Sequence, residues 1–376
     1  MRLGGGSEMH DLAIVGAGGI AEVHAQAVQE TGSRARIVAV VDPDPARAAA
    51  FARRWVVPRT YASLGDLLAV ERPELVHLCT PPGTHRALAV EALAAGVNVW
   101  CEKPPALSLA ALDEIAASEV AGGARFATVF QHRFGSGARR LRALTQCNAL
   151  GRLMVAECRT LWYRPDSYFE PAWRGRWETE GGGPRMGHGI HQIDLLLSIL
   201  GPWREVSAFA ARRARPTATE DLSVALVTFP EGAVATVVNS LVSPRQASSL
   251  RFDFDFATVE LHHLYGYEDD DWTVTALEGH EDEVARAWSD AGPAGVPSGH
   301  LAQLTAVLDA LDAGAPPPVT SADARLTLEL VAGIYASAFT VRPVRRDELM
   351  DTPYYKAMDG GGVVWTDEGE PRRGQM

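Results

Sequence analysis

The sequence lacks the hallmarks of membrane, secreted and nucleic-acid-binding proteins. No apolar run reaches the ~20 residues of a membrane span, and Met1 to Met9, MRLGGGSEM, has no apolar core of signal-peptide length. No run of Lys or Arg is interleaved with aromatics, and a formal net charge of −12 would repel a phosphate backbone. These absences predict a cytoplasmic protein with no membrane or nucleic-acid partner, whose ligand is a small molecule.

Cysteine is also scarce, and the few cysteines form no recognisable site. Cys79, Cys101, Cys147 and Cys158 stand singly, without the C-x-x-C spacing of zinc or redox centres. Buried free thiols in a reducing compartment are the simplest interpretation.

The chain does contain enough apolar sequence for two domains. Its 376 residues exceed the usual size of one hydrophobic core, and 47% of them are hydrophobic. From Asp11 to about residue 130, apolar runs alternate with Ala-rich helical stretches, which is typical of βαβ units around a parallel sheet. We therefore predict an α/β Rossmann domain over residues 11–134. The expected strands cover 12–15, 37–41, 75–79, 97–101 and 126–130.

After Phe134 the strand candidates become longer and alternate apolar with polar residues, which is typical of an antiparallel sheet with one covered face. Helices are expected over 186–200 and 322–339, with a hairpin turn at Phe229-Pro-Glu-Gly-Ala233. We predict an α+β domain over 135–345 and assign no structure to the Gly-rich leader or to the tail, 346–376. The expected strands cover 153–163, 206–213, 222–229, 233–240, 249–256 and 272–277.

A glycine-rich turn follows the first predicted strand and opens a helix. Val15-Gly-Ala-Gly-Gly-Ile-Ala21 gives G-x-G-x-x-A in the context that makes this fingerprint meaningful. Gly16 allows the tight turn, and Gly18 lets the backbone approach a pyrophosphate. The free N–H groups and partial positive charge of a helix N-terminus favour phosphates. Gly16, Gly18, Gly19 and Ile20 are therefore candidates for binding a dinucleotide.

Asp42 ends the second predicted strand, about twenty residues after the fingerprint, where a carboxylate can accept both ribose hydroxyls of the adenosine half. Capping of the next helix is its alternative role. The carboxylate would repel a 2′-phosphate, and Pro43-Asp-Pro45 supplies no Arg or Lys to bind one. NAD is therefore predicted as the cofactor, with NADP disfavoured.

Two more strand ends carry unusual polar residues at the edge where ligands of doubly wound sheets bind. Lys103 is expected to point into the crevice, with its charge steadied by Glu102 or by a ligand oxygen. An exposed ion pair in a loop is the alternative. The two segments are Cys79-Thr80-Pro81-Pro-Gly-Thr-His85 and Trp100-Cys-Glu102-Lys103-Pro-Pro105. Their candidates for binding the cofactor are Thr80, Pro81, His85, Glu102 and Lys103.

In the predicted second domain, a Gly-rich segment introduces a helix that bears titratable side chains. His188, His191 and Asp194 are spaced i, i+3, i+6 and share one helix face. His191 could exchange a proton with a substrate hydroxyl near neutral pH, with Asp194 fixing its tautomer. A structural histidine row or a metal site are the alternatives; no fourth metal ligand is obvious, so no metal is predicted.

Aromatic and arginine residues crowd the segment before this helix. Trp162-Tyr-Arg164-Pro-Asp-Ser-Tyr168 and Trp173-Arg-Gly-Arg-Trp177 supply rings that stack on sugar-like molecules and arginines that bind carboxylates or phosphates. Trp162, Arg164, Trp173 and Trp177 are thus candidate substrate residues, together with His188 and Asp194. A loop that packs on the sheet, or an oligomer contact, is the alternative.

The ordered set of motifs resembles the Gfo/Idh/MocA family of oxidoreductases, which includes glucose-fructose oxidoreductase and inositol dehydrogenase. The resemblance covers roughly residues 11–339. It is carried by Gly16-Ala-Gly-Gly-Ile-Ala21 with His24, by Thr80-Pro81 with His85, by Glu102-Lys-Pro104, by Gln131-His-Arg-Phe134, and by Gly181-Gly-Gly183 with Gly189-Ile-His191 and Asp194.

This resemblance implies a Rossmann domain followed by a domain with a large open sheet, whose outer face often forms dimers or tetramers. It also implies that Lys103 contacts the nicotinamide side and the substrate hydroxyl, that Gln131 lies in the cofactor site, and that His191 is the acid/base. Members often carry Asp where this chain has Gly187, and Asn where it has Pro82. His188 replaces that carboxylate, or the reaction needs less help.

The leading functional prediction is an NAD(P)-dependent dehydrogenase that moves a hydride between the nicotinamide and a secondary alcohol or ketone of a sugar, inositol or related polyol. A second possibility keeps NAD bound and uses transient oxidation for elimination, hydrolysis or epimerisation. A third, of another class, is a catalytically silent NAD-binding sensor or scaffold. Lys103 and His191 count against the third, because a pure binder needs neither.

Overall fold

The computed structural model describes residues 9–372 as two compact units. Residues 1–8, most of the Gly-rich leader, and residues 373–376 of the tail lie outside the described residues. The first unit comprises the chain up to Ala106, then Ala111–Val129 and His300–Asp323. The second comprises Leu107–Ala110, Phe130–Gly299 and the chain from Ala324.

The first unit is built on a six-stranded parallel sheet in the order β3-β2-β1-β4-β5-β6, which is the Rossmann order. Its central strands are apolar and buried, as strands covered by helices on both faces must be. The predicted fold class is confirmed. The strands are β1 (His10–Val15), β2 (Ala35–Val41), β3 (Arg59–Tyr61), β4 (Leu75–Leu78), β5 (Asn98–Cys101) and β6 (Phe126–Thr128).

Helices connect these strands, and two of them begin at a side chain that caps the helix. The side chain of Asp44 accepts hydrogen bonds from the backbone N–H groups of Ala46 and Arg47, and Ser63 caps the next helix in the same way. The helices are α1 (Gly19–Glu30), α2 (Pro45–Trp55), α3 (Leu64–Val70), α4 (His85–Ala94) and α5 (Leu109–Gly122).

One helix joins the first unit from far along the chain. The helix α10 (His300–Asp312) buries Leu304, Val307 and Leu308 in the same apolar cluster as Leu12 and Trp100. The units therefore depart from the predicted boundary of the second domain at 135–345. The physical reason is that the apolar face of α10 packs against the first sheet. A local sequence pattern does not show which sheet a helix will pack against.

The second unit carries an eight-stranded sheet in the order β13-β12-β11-β7-β10-β9-β8-β14. All its pairings are antiparallel except that of β7 with β10, and the predicted turn at residues 229–233 joins β9 to β10. The strands are β7 (Leu153–Tyr163), β8 (Glu205–Ala211), β9 (Leu222–Thr228), β10 (Val234–Ser240), β11 (Val242–Phe254), β12 (Ala257–Leu261), β13 (Trp272–Ala276) and β14 (Val344–Arg345).

One face of this sheet is covered and the other is open, as the alternating burial along β9 and β10 shows. A π-helical turn, Arg185–Gly189, leads into α8. Among the described residues, no helix is long and apolar enough to cross a membrane. The remaining helices are α6 (Ser136–Gln146), α7 (Trp177–Glu180), α8 (Ile190–Leu200), α9 (Glu281–Asp290) and α11 (Ser321–Thr340).

The tail, for which no structure is predicted, is ordered into short elements. It forms two single-turn helices, Arg346–Asp351 and Pro353–Tyr355, and a two-stranded ribbon, β15 (Val364–Trp365) and β16 (Pro371–Arg372). The ribbon is fixed by a backbone hydrogen bond from Arg212 to Gly369. Elements this short are too short to show a hydrophobic periodicity, so the sequence of the tail does not predict them.

Candidate active site

The glycine-rich turn of the first unit has the geometry that the fingerprint predicts. Gly16 has a positive φ of 96°, and a Cβ there would lie 2.8 Å from the carbonyl oxygen of Cys79. Glycine is therefore required on both conformational and steric grounds.

The N-terminus of α1 is open to a ligand. Gly18 is its N-cap residue and makes no side-chain cap bond, so the first helical N–H groups keep their capacity to bind an anion. No atom lies within 4 Å of a Cβ built at Gly18 or Gly19, and Ile20 follows half-buried. The space and the donors fit the pyrophosphate of a dinucleotide.

Asp42 is buried directly beside this turn. Its Oδ2 accepts a hydrogen bond from the Ala17 N–H at 2.9 Å, and its Oδ1 accepts one from the Asp44 N–H at 2.9 Å. The carboxylate thus holds the turn in shape as well as carrying the charge expected beside the ribose. The alternative role as helix cap belongs instead to Asp44.

Arg47 is a residue of this region that the sequence analysis missed. Its guanidinium lies 3.5 Å from Oδ1 of Asp42 and 3.1 Å from Oδ2 of Asp44, and its side chain is largely exposed. The sequence-based preference for NAD rests on Pro43-Asp-Pro45, the residues directly after Asp42, and Arg47 lies beyond them. One turn of α2 brings Arg47 back to the same place.

The buried ring of His85 connects the two polar segments that follow β4 and β5. Its ring nitrogens lie 2.8 Å from the carbonyl oxygens of Thr80 and Pro104, and the side chain is fully buried. Pro81 is exposed, and Thr80 is half-buried. The ring is therefore enclosed by the loops that it supports, and cofactor binding by His85 stays a prediction.

Glu102 is the centre of a buried hydrogen-bond network. Its Oε1 lies 2.9 Å from Nε2 of His24 and 3.0 Å from Nε2 of His300, and its Oε2 accepts from the Lys103 N–H at 3.2 Å. Nδ1 of His24 lies 3.1 Å from Nδ1 of His77. Burial alone would raise the pKa of Glu102, but the two histidine hydrogen bonds hold it well below its ordinary value.

The carboxylate of Glu102 faces the interior histidines and binds the backbone N–H of Lys103. Its place in the cofactor site stays a prediction. His24, Glu102 and His300 also form a donor set that could hold zinc, with their ligand atoms within 4.8 Å of one another. Both histidine nitrogens approach the same oxygen at hydrogen-bond distance, however, and we interpret the group as a hydrogen-bond network.

The buried histidines of the first unit predict a pH-dependent stability. Burial lowers the pKa of His24 and of His85, and lowers that of His77 well below the ordinary 6.5. Each is therefore neutral in the folded chain at pH values where it is protonated in the unfolded chain. Their contribution to stability is complete above about pH 6.5 and is lost as the pH falls below it.

The measurement is urea unfolding across pH 5–7.5, compared between the wild type and His77→Phe. Below pH 6.5 the variant should have a slope of unfolding free energy against pH that is smaller by up to about 1.4 kcal/mol per pH unit, the value for one proton. His262→Gln, at an exposed ring, is the matched control and should leave the slope unchanged. An equal slope in wild type and His77→Phe would contradict the prediction.

Lys103 follows this network at the end of β5. Its side chain is half-buried, its backbone N–H is fixed by Glu102, and the peptide bond to Pro104 is cis. The structure therefore places Lys103 at the carboxyl edge of the parallel sheet, the edge at which doubly wound folds bind ligands.

The three titratable side chains of the second unit belong to the π-helical turn and to α8, and each has its own set of contacts. His188 ends the π-helical turn and contacts the rings of Trp162 and Tyr168. His191, only 2% exposed, stacks edge-on against His132 at 5.1 Å and Tyr265 at 5.4 Å between ring centroids. Both histidines thus lie among aromatic rings at the start of α8.

Asp194 forms a buried ion pair with Arg133. Its carboxylate accepts two hydrogen bonds from the Arg133 guanidinium, at 2.6 and 2.7 Å, and a third from the Thr327 hydroxyl at 3.0 Å. The side chain is 1% exposed. A bidentate arginine pair therefore holds the carboxylate of Asp194 inside the unit. The roles of Asp194 as a substrate residue and as the residue that fixes the His191 tautomer stay predictions.

The aromatic and arginine loop divides into two parts. Arg164 stacks on Trp162 and Tyr168, at 4.6 and 5.2 Å from the ring centroids, beside His188. Arg174 stacks on Tyr168 and Trp173, so Trp173 belongs to the same cluster.

Trp177 has other contacts than this cluster, and its assignment as a substrate residue stays a prediction. Its Nε1 donates to the carbonyl of Ala218, and its ring packs edge-on against Tyr335 and Phe339 of α11. It therefore anchors α7 to the covered side of the sheet. Gln131, in the turn after β6, is buried at the start of the second unit.

Two family models match the chain in series. The first, described as "Oxidoreductase family, NAD-binding Rossmann fold", matches residues 11–130. The second, the "GFO/IDH/MocA C-terminal domain", matches residues 138–262. Together they cover most of the chain and correspond to the parallel sheet and to the larger sheet.

Curated relatives include dehydrogenases of sugars and cyclitols. The chain is 32% identical to D-glucoside 3-dehydrogenase of Escherichia coli over 50% of its own length and 54% of that protein. It is 32% identical to inositol 2-dehydrogenase of Ralstonia nicotianae over 39% of its own length and 44% of that protein. The chain spans about half the length of these curated relatives.

Solved structures match over nearly the whole chain. The WlbA dehydrogenase of Bordetella pertussis, in complex with NADH and UDP-GlcNAcA, superposes with a TM-score of 0.80 at 26% identity, covering 90% of this chain and 98% of that one. The two described units thus both have counterparts in that enzyme.

Proposed function

The chain belongs to the Gfo/Idh/MocA family of NAD-binding oxidoreductases, and on that premise we propose that it oxidises a secondary alcohol of a sugar, inositol or related polyol, or reduces the corresponding ketone. The observation that carries this proposal is the setting of Lys103, whose backbone is fixed by the buried carboxylate of Glu102 at the ligand-binding edge of the Rossmann sheet. When bound, NAD supplies the hydride acceptor for such an oxidation.

Lys103 and His191 carry the proton chemistry in this proposal. Oxidation of an alcohol requires that its hydroxyl proton leave and that the developing oxyanion be stabilised. His191 suits the first task because an imidazole exchanges protons near neutral pH, and Lys103 suits the second because it is a cation. A lysine of lowered pKa could exchange these roles.

The cofactor is held by the turn from Gly16 to Ile20 and by Asp42, with Thr80 and Pro81 at the next strand end. Gln131 is proposed to complete this site from the turn after β6. The open N-terminus of α1 supports the pyrophosphate position, and the buried carboxylate supports the ribose position.

The substrate site includes Trp162, Arg164, Trp173 and His188. Their support is the cluster of rings and guanidinium groups around Tyr168, which offers flat apolar faces and several donors to a polyhydroxylated ring. Relatives that act on a glucoside or on inositol agree with a substrate of this chemistry.

The test is a panel of sugars, inositols and their acids, screened for NADH production by the purified protein. We expect turnover with at least one member only when NAD is added. Turnover without added NAD would favour the alternative in which the cofactor is retained for elimination, hydrolysis or epimerisation. NADH binding with no turnover of any kind would favour the silent sensor or scaffold.

A preference for NAD over NADP is part of the proposal, and Asp42 provides its test. Asp42→Ala should weaken NADH binding and narrow the ratio of NADPH to NADH dissociation constants by about tenfold, since it removes a ribose acceptor and a charge that repels phosphate. Arg47→Ala should widen that ratio, because it removes the guanidinium that lies 3.5 Å from Asp42.

Fluorescence titration of the apoprotein with both cofactors measures these effects. Asp44→Ala is the matched control: it removes an equal charge two residues away that caps α2 instead of facing the ribose. An unchanged ratio in Asp42→Ala would refute the role, and so would tighter binding of NADPH than of NADH by the wild type.

We further propose a cytoplasmic homodimer or homotetramer assembled through the open face of the large sheet. Apolar side chains stay exposed on that face, among them Phe209, Val224 and Leu226 on the adjacent strands β8 and β9. Contiguous exposed apolar surface of this kind marks protein contacts. The cytoplasmic location remains a prediction, supported by four free cysteines.

A further inference from the structure

Glu180 is a buried carboxylate beside the acid/base helix that the proposed reaction does not yet use. It ends α7 and is 6% exposed. Its Oε2 accepts a hydrogen bond from the Gly175 N–H at 2.6 Å, and its Oε1 lies 3.6 Å from Nη1 of Arg174. Because a buried carboxylate is costly unless it is bonded, this placement is specific.

Gly187 leaves room for this carboxylate. A Cβ built at Gly187 would lie 3.3 Å from Oε1 of Glu180, tighter than ordinary contact. Gly187 belongs to the π-helical turn that precedes His188 and α8. The carboxylate thus lies against the turn that carries His188. A larger side chain at position 187 would crowd this carboxylate.

The contacts beyond Glu180 fix the direction of one hydrogen bond and favour that of the next. Arg174 donates to the hydroxyl oxygen of Tyr168, which lies 3.2 Å from Nε2 of His188. Arginine cannot accept a hydrogen bond, so the Tyr168 oxygen is the acceptor from Arg174, and the Tyr168 hydrogen is available to His188. Burial raises the pKa of Tyr168, so this hydroxyl keeps its proton at neutral pH.

This arrangement favours one tautomer of His188. When Tyr168 donates to Nε2, the hydrogen of the neutral ring resides on Nδ1. The contacts run from Glu180 through Arg174 and Tyr168 to His188, all within the second unit.

We propose that Glu180 is a positioning residue for the substrate site: it fixes Arg174, and through Tyr168 it sets the orientation and tautomer of His188. The inference rests on the proposed function for its effect on turnover, but its effect on His188 stands on the contacts alone. Removing the charge releases Arg174 from its anionic partner, after which neither the Tyr168 hydroxyl nor the imidazole has a fixed direction.

The experiment combines kinetics with a tautomer measurement. Glu180→Gln keeps the shape and removes the charge; kcat/KM for the polyol should fall about tenfold or more, while the NADH dissociation constant and Tm stay close to wild type. Glu178→Gln, an exposed residue of the same short helix, is the control and should change neither. In ¹⁵N-histidine spectra, His188 should show the Nδ1–H form in the wild type and a mixture of forms in Glu180→Gln.

Relocating the carboxylate provides a rescue. Glu180→Ala should lose activity as Glu180→Gln does, and adding Gly187→Asp to it should restore a several-fold gain, because the new carboxylate enters the emptied space. Unchanged His188 signals in Glu180→Gln, loss of NADH binding in that variant, or no rescue in the double variant would overturn the proposal. If the wild type turns over no member of the panel, the proposed function fails, while the His188 spectra still decide on Glu180.

Discussion

Lys103→Ala and His191→Ala are each expected to lower kcat by about 10²-fold or more, the usual scale for groups that move or stabilise a proton in the reaction. Without Lys103 the developing oxyanion has lost its cation, and without His191 the hydroxyl proton has lost its acceptor. NADH affinity should change less for His191→Ala, since His191 belongs to the second unit and the dinucleotide turn to the first.

Steady-state kinetics with the best substrate of the panel, alongside NADH titration, measure both effects. The matched control is Lys356→Ala, because Lys356 is the chain's one other lysine and lies exposed in the tail. Near-normal turnover by His191→Ala would overturn the assignment and direct attention to His188, which lies one turn earlier on the same helix face.

The largest expected effect on stability is that of Asp194→Ala. This substitution leaves the guanidinium of Arg133, itself only 9% exposed, without its bidentate partner. Loss of one member of a buried ion pair costs about 3–5 kcal/mol, because the other charge stays buried and uncompensated. Urea unfolding of the purified protein should show a decrease of that size in the free energy of unfolding.

Two companions sharpen this measurement. Thr327→Val removes a single hydrogen bond to the same carboxylate and should cost about 1 kcal/mol. The double variant Arg133→Met/Asp194→Leu should recover part of the loss, since no charge is then left unpaired. A decrease below 1 kcal/mol in Asp194→Ala would show that the pair does not hold the helix in place.

The parallel sheet could be predicted because its signals are local. Apolar runs of strand length, a glycine forced by its close approach to Cys79, and an acid at the end of β2 all lie within short windows. The strand β3 and the helix α3 escaped prediction because three exposed or half-buried residues and seven helical ones leave too little pattern. The helix α10 required knowledge of which sheet would cover its apolar face.

The sequence indicates which residues are candidates for the site, but it does not indicate their hydrogen-bond partners. His188, His191 and Asp194 do lie in one helical stretch, but Asp194 is bound by Arg133, 61 positions earlier in the chain. Glu102 meets His300 across 198 positions. Hydrogen-bond partners at such separations are set by tertiary packing. Trp177 likewise is of a residue type that often binds ligands, but its ring packs against Tyr335 of α11.

The return of α10 to the first sheet bears on how the protein is made. The ribosome releases residues 9–129 first, yet the cluster around Leu12 and Trp100 is closed only by Leu304, Val307 and Leu308. Until residue 312 has emerged from the ribosome, the apolar surface that packs against α10 in the folded protein stays without this helix. The parallel sheet can therefore bury that surface only after residues 130–299 of the second unit have been translated. The dinucleotide domain, although first in sequence, is therefore completed late in biosynthesis.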